Sequence, residues 1–516
     1  MKFNKLKGLR VLFALLFFIP ILFYFINFTD KSSSAIGSLL KIQLIPAIMA
    51  GSWLLVAALL VLTLLFGRIY CSVICPAGIL QDLVSRFSRR GKKRKKGKKK
   101  RWYSYHKPSN IVRYALLGVA FLLFFLGLNS VLSWLDPYSN FGRIASNLFG
   151  PLVILGNNAL ASGLMSLKNY SLYHVSIDYI TILSFIGALV AFVVLAGLAL
   201  FRGRLFCNTL CPVGGLLSLV SRYSFFRIQL GSECNACGNC ERMCKSECID
   251  SKSGIVDSSR CVNCFNCLSS CKKGSIKYAF SLPGGTKNKK NQQQQDSPEE
   301  IRSRRNFIAT GATLLATSSI LPAWANGKSK NKKIPLIPPG GQGLEPFTKK
   351  CTACHLCVVK CPSQVIRPAG LEYGFNYMLK PHVVYDKAYC NYECTICSEI
   401  CPNGALQKLT KEEKVTTQVG YVHFEKDLCI TYVDGTDCGA CSEHCPTQAV
   451  KMVPYKDSLR VPEIDPTICV GCGGCEYICP VLPQKAIYII ANEEHKKVSK
   501  PIYEEVEEKE VDDFGF

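Results

Sequence analysis

Cysteine spacing constrains this chain more than any other feature. The 516 residues include 29 cysteines, and most stand in tight groups of four. Cys234, Cys237, Cys240 and Cys244 form the first, and Cys261, Cys264, Cys267 and Cys271 the second. Further along come Cys351, Cys354, Cys357 and Cys361, then Cys390, Cys394, Cys397 and Cys401. The last two are Cys429, Cys438, Cys441 and Cys445, then Cys469, Cys472, Cys475 and Cys479. The odd total, with no small secreted scaffold around it, argues against a disulfide framework. Structural zinc uses paired C-x2-C knuckles across a longer spacer. Repeated C-x2-C-x2-C triplets with a fourth cysteine fit 4Fe–4S cubanes instead: three thiolates come from one loop, and the fourth usually ligates the neighbouring cluster.

Pro362, Pro402, Pro446 and Pro480 follow the fourth cysteine of the downstream groups, whereas Lys245 and Lys272 stand there upstream. The spacing loosens between Cys390 and Cys394 and between Cys429 and Cys438, with four cysteines retained in each group. Six groups imply about six clusters. Cys248 is surplus and reads as a small apolar packing residue.

Four apolar runs have the length of spanning helices: about Val11 to Phe28, Pro46 to Phe66, Tyr114 to Leu135 and Tyr179 to Phe201. Ile144 to Leu167 is apolar but interrupted by Gly and Asn, and reads as an interfacial or external loop. The net charge of +25 does not signal nucleic acid, because there is no aromatic interleaving and no recognisable nucleic-acid module. Its densest part, Arg86 to Arg101, carries no acid and lies between apolar segments. It reads as a cytoplasmic loop under the positive-inside rule, with anionic lipid headgroups as a secondary partner. With the Lys-rich start and the Arg202/Arg204 segment on the same side, the chain is back in the cytoplasm before Cys234.

A linker with Gly284-Gly285 and the run Gln292 to Gln295 follows the second group. Then comes Ser303-Arg304-Arg305-Asn306-Phe307-Ile308, a mildly apolar stretch from Ala309 to Leu321, and Ala323-Trp324-Ala325. Charged start, apolar centre and small-residue end are the anatomy of an export signal, here of twin-arginine type. A route for folded proteins is what a cluster-bearing external domain requires.

The chain also repeats itself. Gly67-Arg68-Ile69-Tyr70-Cys71-Ser72-Val73-Ile74-Cys75-Pro76 matches Gly203-Arg204-Leu205-Phe206-Cys207-Asn208-Thr209-Leu210-Cys211-Pro212. The four C-x3-C-P cysteines, Cys71, Cys75, Cys207 and Cys211, are the candidate redox-active residues. They either bind a metal centre, cycle between dithiol and disulfide, or serve as structural thiols at helix ends. Cys351-Thr352-Ala353-Cys354-His355 satisfies the c-type haem pattern C-x-x-C-H, but haem would orphan Cys357 and Cys361, so His355 reads as a polar neighbour of a cluster, as does His444. Asp136 and Tyr138 are candidates for handling a quinol proton, against a capping Asp-Pro turn.

These motifs resemble a known pair of families. The first 280 or so residues look like the NapH-type membrane subunit, with four spans, two C-x3-C-P motifs and two cytoplasmic cluster motifs. From Ser303 onward the chain looks like the NapG/MauM-type exported four-cluster ferredoxin, and similar membrane modules occur in the NosR family. The resemblance implies oxidation of menaquinol from the membrane quinol pool and delivery of electrons to a periplasmic reductase or cytochrome, as in nitrate reductase systems. It departs in that the two modules are fused here and the upstream groups lack their prolines.

The expected fold is multidomain, an α-helical transmembrane bundle plus small α+β ferredoxin-like 4Fe–4S modules. The expected domains are a membrane domain (1–230), a cytoplasmic two-cluster module (231–280), a linker (281–302), a signal or fifth span (303–326), a second linker (327–346), a periplasmic four-cluster domain (347–495) and an acidic tail (496–516). The expected place is a bacterial inner membrane. No nucleotide or flavin fingerprint is present, so the chain reads as the electron-transfer component of a quinol dehydrogenase, with no substrate site of its own. A membrane redox sensor of NosR-like type is the rival.

Overall fold

A computed structural model describes residues 5–27, 34–90, 103–271, 273–281, 334–456 and 458–500. The core of the polybasic run, Lys272, the twin-arginine segment with its cleavage pattern and residues 501–516 of the acidic tail lie outside the described residues, while Lys496 and Lys497, placed in that tail by the sequence, end a strand.

The N-terminal part is helical. Lys5–Ile26 has no acid in its first turn and buries Ala14, Phe18, Ile21, Tyr24 and Phe25 on one face. Its other face leaves Leu12, Leu16, Ile19 and Phe23 exposed. Ile182–Arg202 starts with a capping box, in which Thr181 and Ser184 satisfy each other's backbone N–H groups. It exposes Val190, Val193 and Val194. Continuous apolar surface of this kind marks contact with lipid or protein.

Among the described residues three helical segments are long and apolar enough to cross a membrane: Lys5–Ile26, Pro137–Ser166 and Ile182–Arg202. This differs from the sequence expectation in two ways. The stretch from Ile144 to Leu167, read as a loop, is helical through Ser166, with a π-turn at Ala145–Phe149. Its polar interruptions have local partners: Asn157 donates to the Tyr173 carbonyl and Asn158 to that of Val175, both at 2.9 Å. The expected spans at Pro46 to Phe66 and Tyr114 to Leu135 contain helices of only 14 and 16 residues, Trp53–Phe66 and Asn110–Phe125. At ~1.5 Å per residue these are shorter than the ~30 Å hydrocarbon layer. The cause is glycine in the left-handed region, which ends or splits each apolar run, with Gly51 at φ 72° before one helix and Gly127 at φ 71° after the other.

Two cysteine-rich modules flank this bundle. The first pairs Phe226–Leu230 antiparallel with Ile276–Phe280, and a two-residue ladder joins Ile249–Asp250 to Ile255–Val256. It docks where Trp53–Phe66 and Ile182–Arg202 end: Tyr278 donates to the Phe66 carbonyl at 2.9 Å, and the Arg204 amide to Lys245 O at 3.1 Å. The second module pairs Thr417–Phe424 with Ile487–Lys497, Val450–Pro454 with Arg460–Ile464, and Ile366–Pro368 with Pro381–Val383. It docks at the opposite end of Ile182–Arg202, where the Asp178 amide donates to Gln364 Oε1 at 3.0 Å and Asn129 and Ser130 donate to the carbonyls of Lys349 and Asn376. The 21 residues of that helix therefore hold the modules ~30 Å apart.

Candidate electron-transfer site

Within each module the tertiary structure regroups the cysteines. A cavity of about 190 Å³ is lined by Cys234, Cys237, Cys240 and Cys271, the last taken from the second sequence group. Cys267 lies in electrostatic reach of Cys264, Cys261, Cys244 and Cys240; Cys240 lines the first cavity, which leaves Cys244 beside the other triplet. The second module repeats the exchange twice. One cavity is lined by Cys390, Cys394, Cys397 and Cys361, while Cys401 lies with Cys351, Cys354 and Cys357. Another is lined by Cys429, Cys438, Cys441 and Cys479, and Cys445 lies with Cys469, Cys472 and Cys475. In every case three cysteines come from one loop and the fourth from its neighbour.

The loops are curled to allow this. Ala236, Asn263, Ala353 and His355 are non-glycine residues at positive φ within the cysteine motifs, a conformation that turns successive N–H groups toward one point. Burial raises the Cys271 thiol, but N–H groups of Ile276, Ser275, Gly274 and Lys273 overcome it and leave the thiol below its ordinary value. Cys244 is lowered to about 7, first by its contact with Cys248, with burial opposing and the backbone N–H groups of Cys248, Ser246 and Glu247 assisting. The two sulfurs are 3.5 Å apart. Cys248 is thus buried, as a packing residue would be, yet it also touches a sulfur whose hydrogen bonds tune a cluster.

Among the described residues no three Cys, His, Asp or Glu side chains close on a single point as a lone metal ion requires. Thiolate stabilised by backbone N–H groups is the ligand form iron–sulfur chemistry uses.

The four C-x3-C-P cysteines converge between the modules. None is more than 4% exposed, and each of Cys71, Cys75 and Cys211 lies in electrostatic reach of Cys207. The two repeats embrace each other through their arginines. Arg68 Nη2 donates to Cys207 O at 2.9 Å, and Arg204 Nη1 donates to Cys71 O at 2.7 Å. Gln81 Nε2 donates to Cys207 Sγ at 3.2 Å. Gly78 and Gly214 make the embrace possible, since a Cβ there would stand 2.2 Å from Cys71 O and 1.9 Å from Cys207 O. These glycines and arginines went unassigned in the sequence reading. The signal was present as a shared C-P-x-G in both copies.

Asp82 anchors the site to the first module. It pairs with Arg204 at 2.9 Å, with Lys245 at 3.2 Å and with Arg10. Burial alone would raise its carboxyl, but the three cations hold it far below the usual range. Toward the second module, Asp136 accepts from Tyr138 N at 3.1 Å and Ser139 N at 2.9 Å, capping the helix Pro137–Ile144. The capping alternative for Asp136 is therefore the one observed. Tyr138 Oη is buried without a hydrogen-bond partner, near Cys354 and Cys401.

His355 follows Cys354 directly in the chain. Its Nδ1 is 2.9 Å from Asn147 Nδ2 and its Nε2 is 2.9 Å from Leu379 O, so the ring is neutral, with Nε2–H donating and Nδ1 accepting. Burial first, then Arg143, lowers its pKa to about 3. Both nitrogens are engaged by protein, which leaves none for a haem iron. His444 instead stays at the surface, its Nδ1 3.1 Å from Ala440 O. Lys380 is fully buried with Nζ 2.8 Å from Thr348 O, and burial lowers it to about 8 against the pull of Cys351.

Comparison with known proteins follows the same division. A 4Fe-4S binding domain model matches residues 49–95 and again 184–232, the two C-x3-C-P repeats. Two 4Fe-4S dicluster domain models match residues 350–406 and 436–482. The methylamine utilization ferredoxin-type protein MauM of Methylorubrum extorquens is 31% identical over 193 residues, 85% of that protein and 36% of this chain. The chain belongs to the MauM family of ferredoxin-type proteins. The ferredoxin-type protein NapG of Haemophilus influenzae is 27% identical, over 72% of its length and 38% of this chain. An uncharacterized protein of Methanocaldococcus jannaschii, MJ0750, is 27% identical over 98% of its length and 54% of this chain. No solved structure matches. Membership of the MauM family makes this an iron–sulfur electron-transfer protein related to the Nap and Mau ferredoxins, carrying several 4Fe–4S-binding domains.

Proposed function

We propose that the chain carries electrons between the two faces of a bacterial inner membrane through a single row of six 4Fe–4S clusters and the C-x3-C-P thiols. The observation that carries this reading is the shared core. Cys264 of the first module and Cys354 of the second pack against the same apolar core that holds Cys71, Cys75, Cys207 and Cys211. Outward from that core the thiol groups follow in order. Cys267 is in reach of Cys240 in the first module. In the second, Cys357 is in reach of Cys397, Cys472 of Cys390, and Cys475 of Cys441.

In this reading the six regrouped sets of four cysteines are the cluster ligands. The clusters supply one-electron chemistry, and the protein tunes each through burial, charge and hydrogen bonds to sulfur. The C-x3-C-P thiols form the intermediate station, as a dithiol couple. The first module stays cytoplasmic, the second is exported by the internal twin-arginine signal, and the polybasic loop lies against anionic lipid. Menaquinol is the proposed donor and a periplasmic reductase or cytochrome of the nitrate reductase type the acceptor.

Two measurements test this. Purified protein should hold about 24 irons, four for each of six clusters; about eight would remove the second module from the row. A short-chain menaquinol should reduce the second module's clusters at turnover rates, and substitution of Cys207 by Ser should abolish that reduction while leaving the clusters in place. Unchanged reduction in that variant would exclude the thiols as the bridge.

A further inference from the structure

Arg143 is fully buried. Its Nη2 donates to Ser133 O at 2.7 Å and Asn140 Oδ1 at 2.9 Å, and its guanidinium lies 4.7 Å over the Trp134 ring. Its Nε and Nη1 have no partner, and among the described residues no carboxylate lies within ion-pair distance of it. Lys380, in reach of Cys351 of the same motif, is equally buried, and among the described residues its ammonium meets only the Thr348 carbonyl. A buried cation without a counter-charge costs several kcal/mol, so two of them at one place call for a nearby anion. The anionic groups in reach of Arg143 are Asp136, spent as a helix cap, and Cys354. The one in reach of Lys380 is Cys351. The neighbouring Gly142 is pressed so closely on Cys354 that a Cβ would stand 2.5 Å from its carbonyl.

The far end of the module is built the other way. Around Cys429 to Cys445 the chain carries Glu425, Asp427, Asp434, Asp437 and Glu443 against Lys426 and against Lys485, which donates to the Cys479 carbonyl. Nearby positive charge favours the reduced form of a cluster, which has gained one electron and no proton, and negative charge disfavours it. Buried charges act more strongly than screened surface ones.

We infer that Arg143 and Lys380 are the counter-charges of the cluster held by Cys351, Cys354, Cys357 and Cys401, and that they make it more readily reduced than the cluster at the far end, held by Cys429, Cys438, Cys441 and Cys479. The inference rests on the proposed ligand assignment. It also narrows the donor class: a membrane-facing cluster of raised potential accepts electrons from a mild reductant such as a hydroquinone, without needing a strongly reducing ferredoxin.

The test is a stepwise dithionite titration of the intact, cluster-loaded protein followed by electron paramagnetic resonance, with iron and sulfide counted in every variant. The signal lost in Cys354→Ser identifies the cluster. In wild-type protein that signal should appear before the far-end cluster's, the one lost in Cys438→Ser. In Arg143→Gln and in Lys380→Met it should need a potential lower by at least ~59 mV, a tenfold change in the reduced-to-oxidised ratio for one electron. Arg143→Lys, which keeps the charge but loses the planar hydrogen-bonding fork, should stay near wild type. An unmoved signal in both neutral variants at full iron content overturns the inference. So does an equal shift in Arg143→Lys, which would mark Arg143 as structural. If Cys354→Ser loses neither iron nor a signal, the ligand assignment itself fails, a distinguishable outcome. Should a neutral variant lose iron, Arg143→Lys and the order of signals in wild type still decide.

Discussion

Replacing Asp82 by asparagine keeps the shape of the side chain and removes the one negative charge that binds three cations. Arg204 grips the carboxylate with Nε and Nη2, both at 2.9 Å, Lys245 is 3.2 Å away, and Arg10 completes the set. At an effective dielectric of about 20, each such pair is worth ~5 kcal/mol before desolvation, which returns much of it. Breaking a buried pair by removing one partner costs about 3–5 kcal/mol. The loss is concentrated at a junction, because Asp82 ties the helix Pro76–Arg90 to the N-terminal helix, to the second repeat and to the first module. At roughly 2 °C per kcal/mol for a large domain, the apparent Tm should fall by about 6–10 °C. Scans of detergent-purified protein at one fixed rate would measure it, since unfolding of such a chain is expected to be irreversible.

Asp178→Asn serves as the control. Its ion pair with Lys387 is half exposed, and exposed pairs contribute ~1 kcal/mol or less. The pH dependence gives a second check. A carboxyl held below its ordinary value stabilises the fold above its unfolded pKa of about 3.9, and that stability is lost as pH falls toward the folded value. The gap between wild type and Asp82→Asn should therefore stay constant above about pH 5 and close in stronger acid. A Tm change under about 2 °C, no larger than that of Asp178→Asn, would refute the argument that this carboxylate is a buried junction.

The interleaved cysteines make a second prediction: Cys244→Ser should perturb the cluster of Cys261, Cys264 and Cys267, and Cys271→Ser that of Cys234, Cys237 and Cys240. Resolved resonance signals would check it, and disruption of the cluster in the same sequence group would overturn the pairing. Gly214→Ala should destabilise the protein by about 3 kcal/mol, because the added carbon meets the Cys207 carbonyl at 1.9 Å and backbone cannot step aside. Gly156→Ala, in a helix with open space around it, should be neutral or stabilising by up to ~1 kcal/mol; comparable losses in both variants would remove the steric explanation.

The chemistry of this protein is written in its sequence because cluster binding is local. In the proposed assignment three of four ligands come from one short loop, so the spacing of Cys351, Cys354 and Cys357 marks the site. Long apolar helices at Lys5–Ile26 and Ile182–Arg202 are equally legible, since a spanning helix needs only length and composition. Helix ends were less so: hydropathy averages over Gly51 and Gly127, whereas the backbone stops there. Tertiary structure alone decided which loop lends the fourth cysteine, as Cys271 lies far in sequence from Cys237 but lines the same cavity. It alone crossed Arg68 and Arg204 between the repeats, and it alone placed Cys264 and Cys354 on one core with the C-x3-C-P thiols. Spacing reports which atoms can bind a metal; only packing brings together residues more than a hundred positions apart, as it does Arg68 and Cys207.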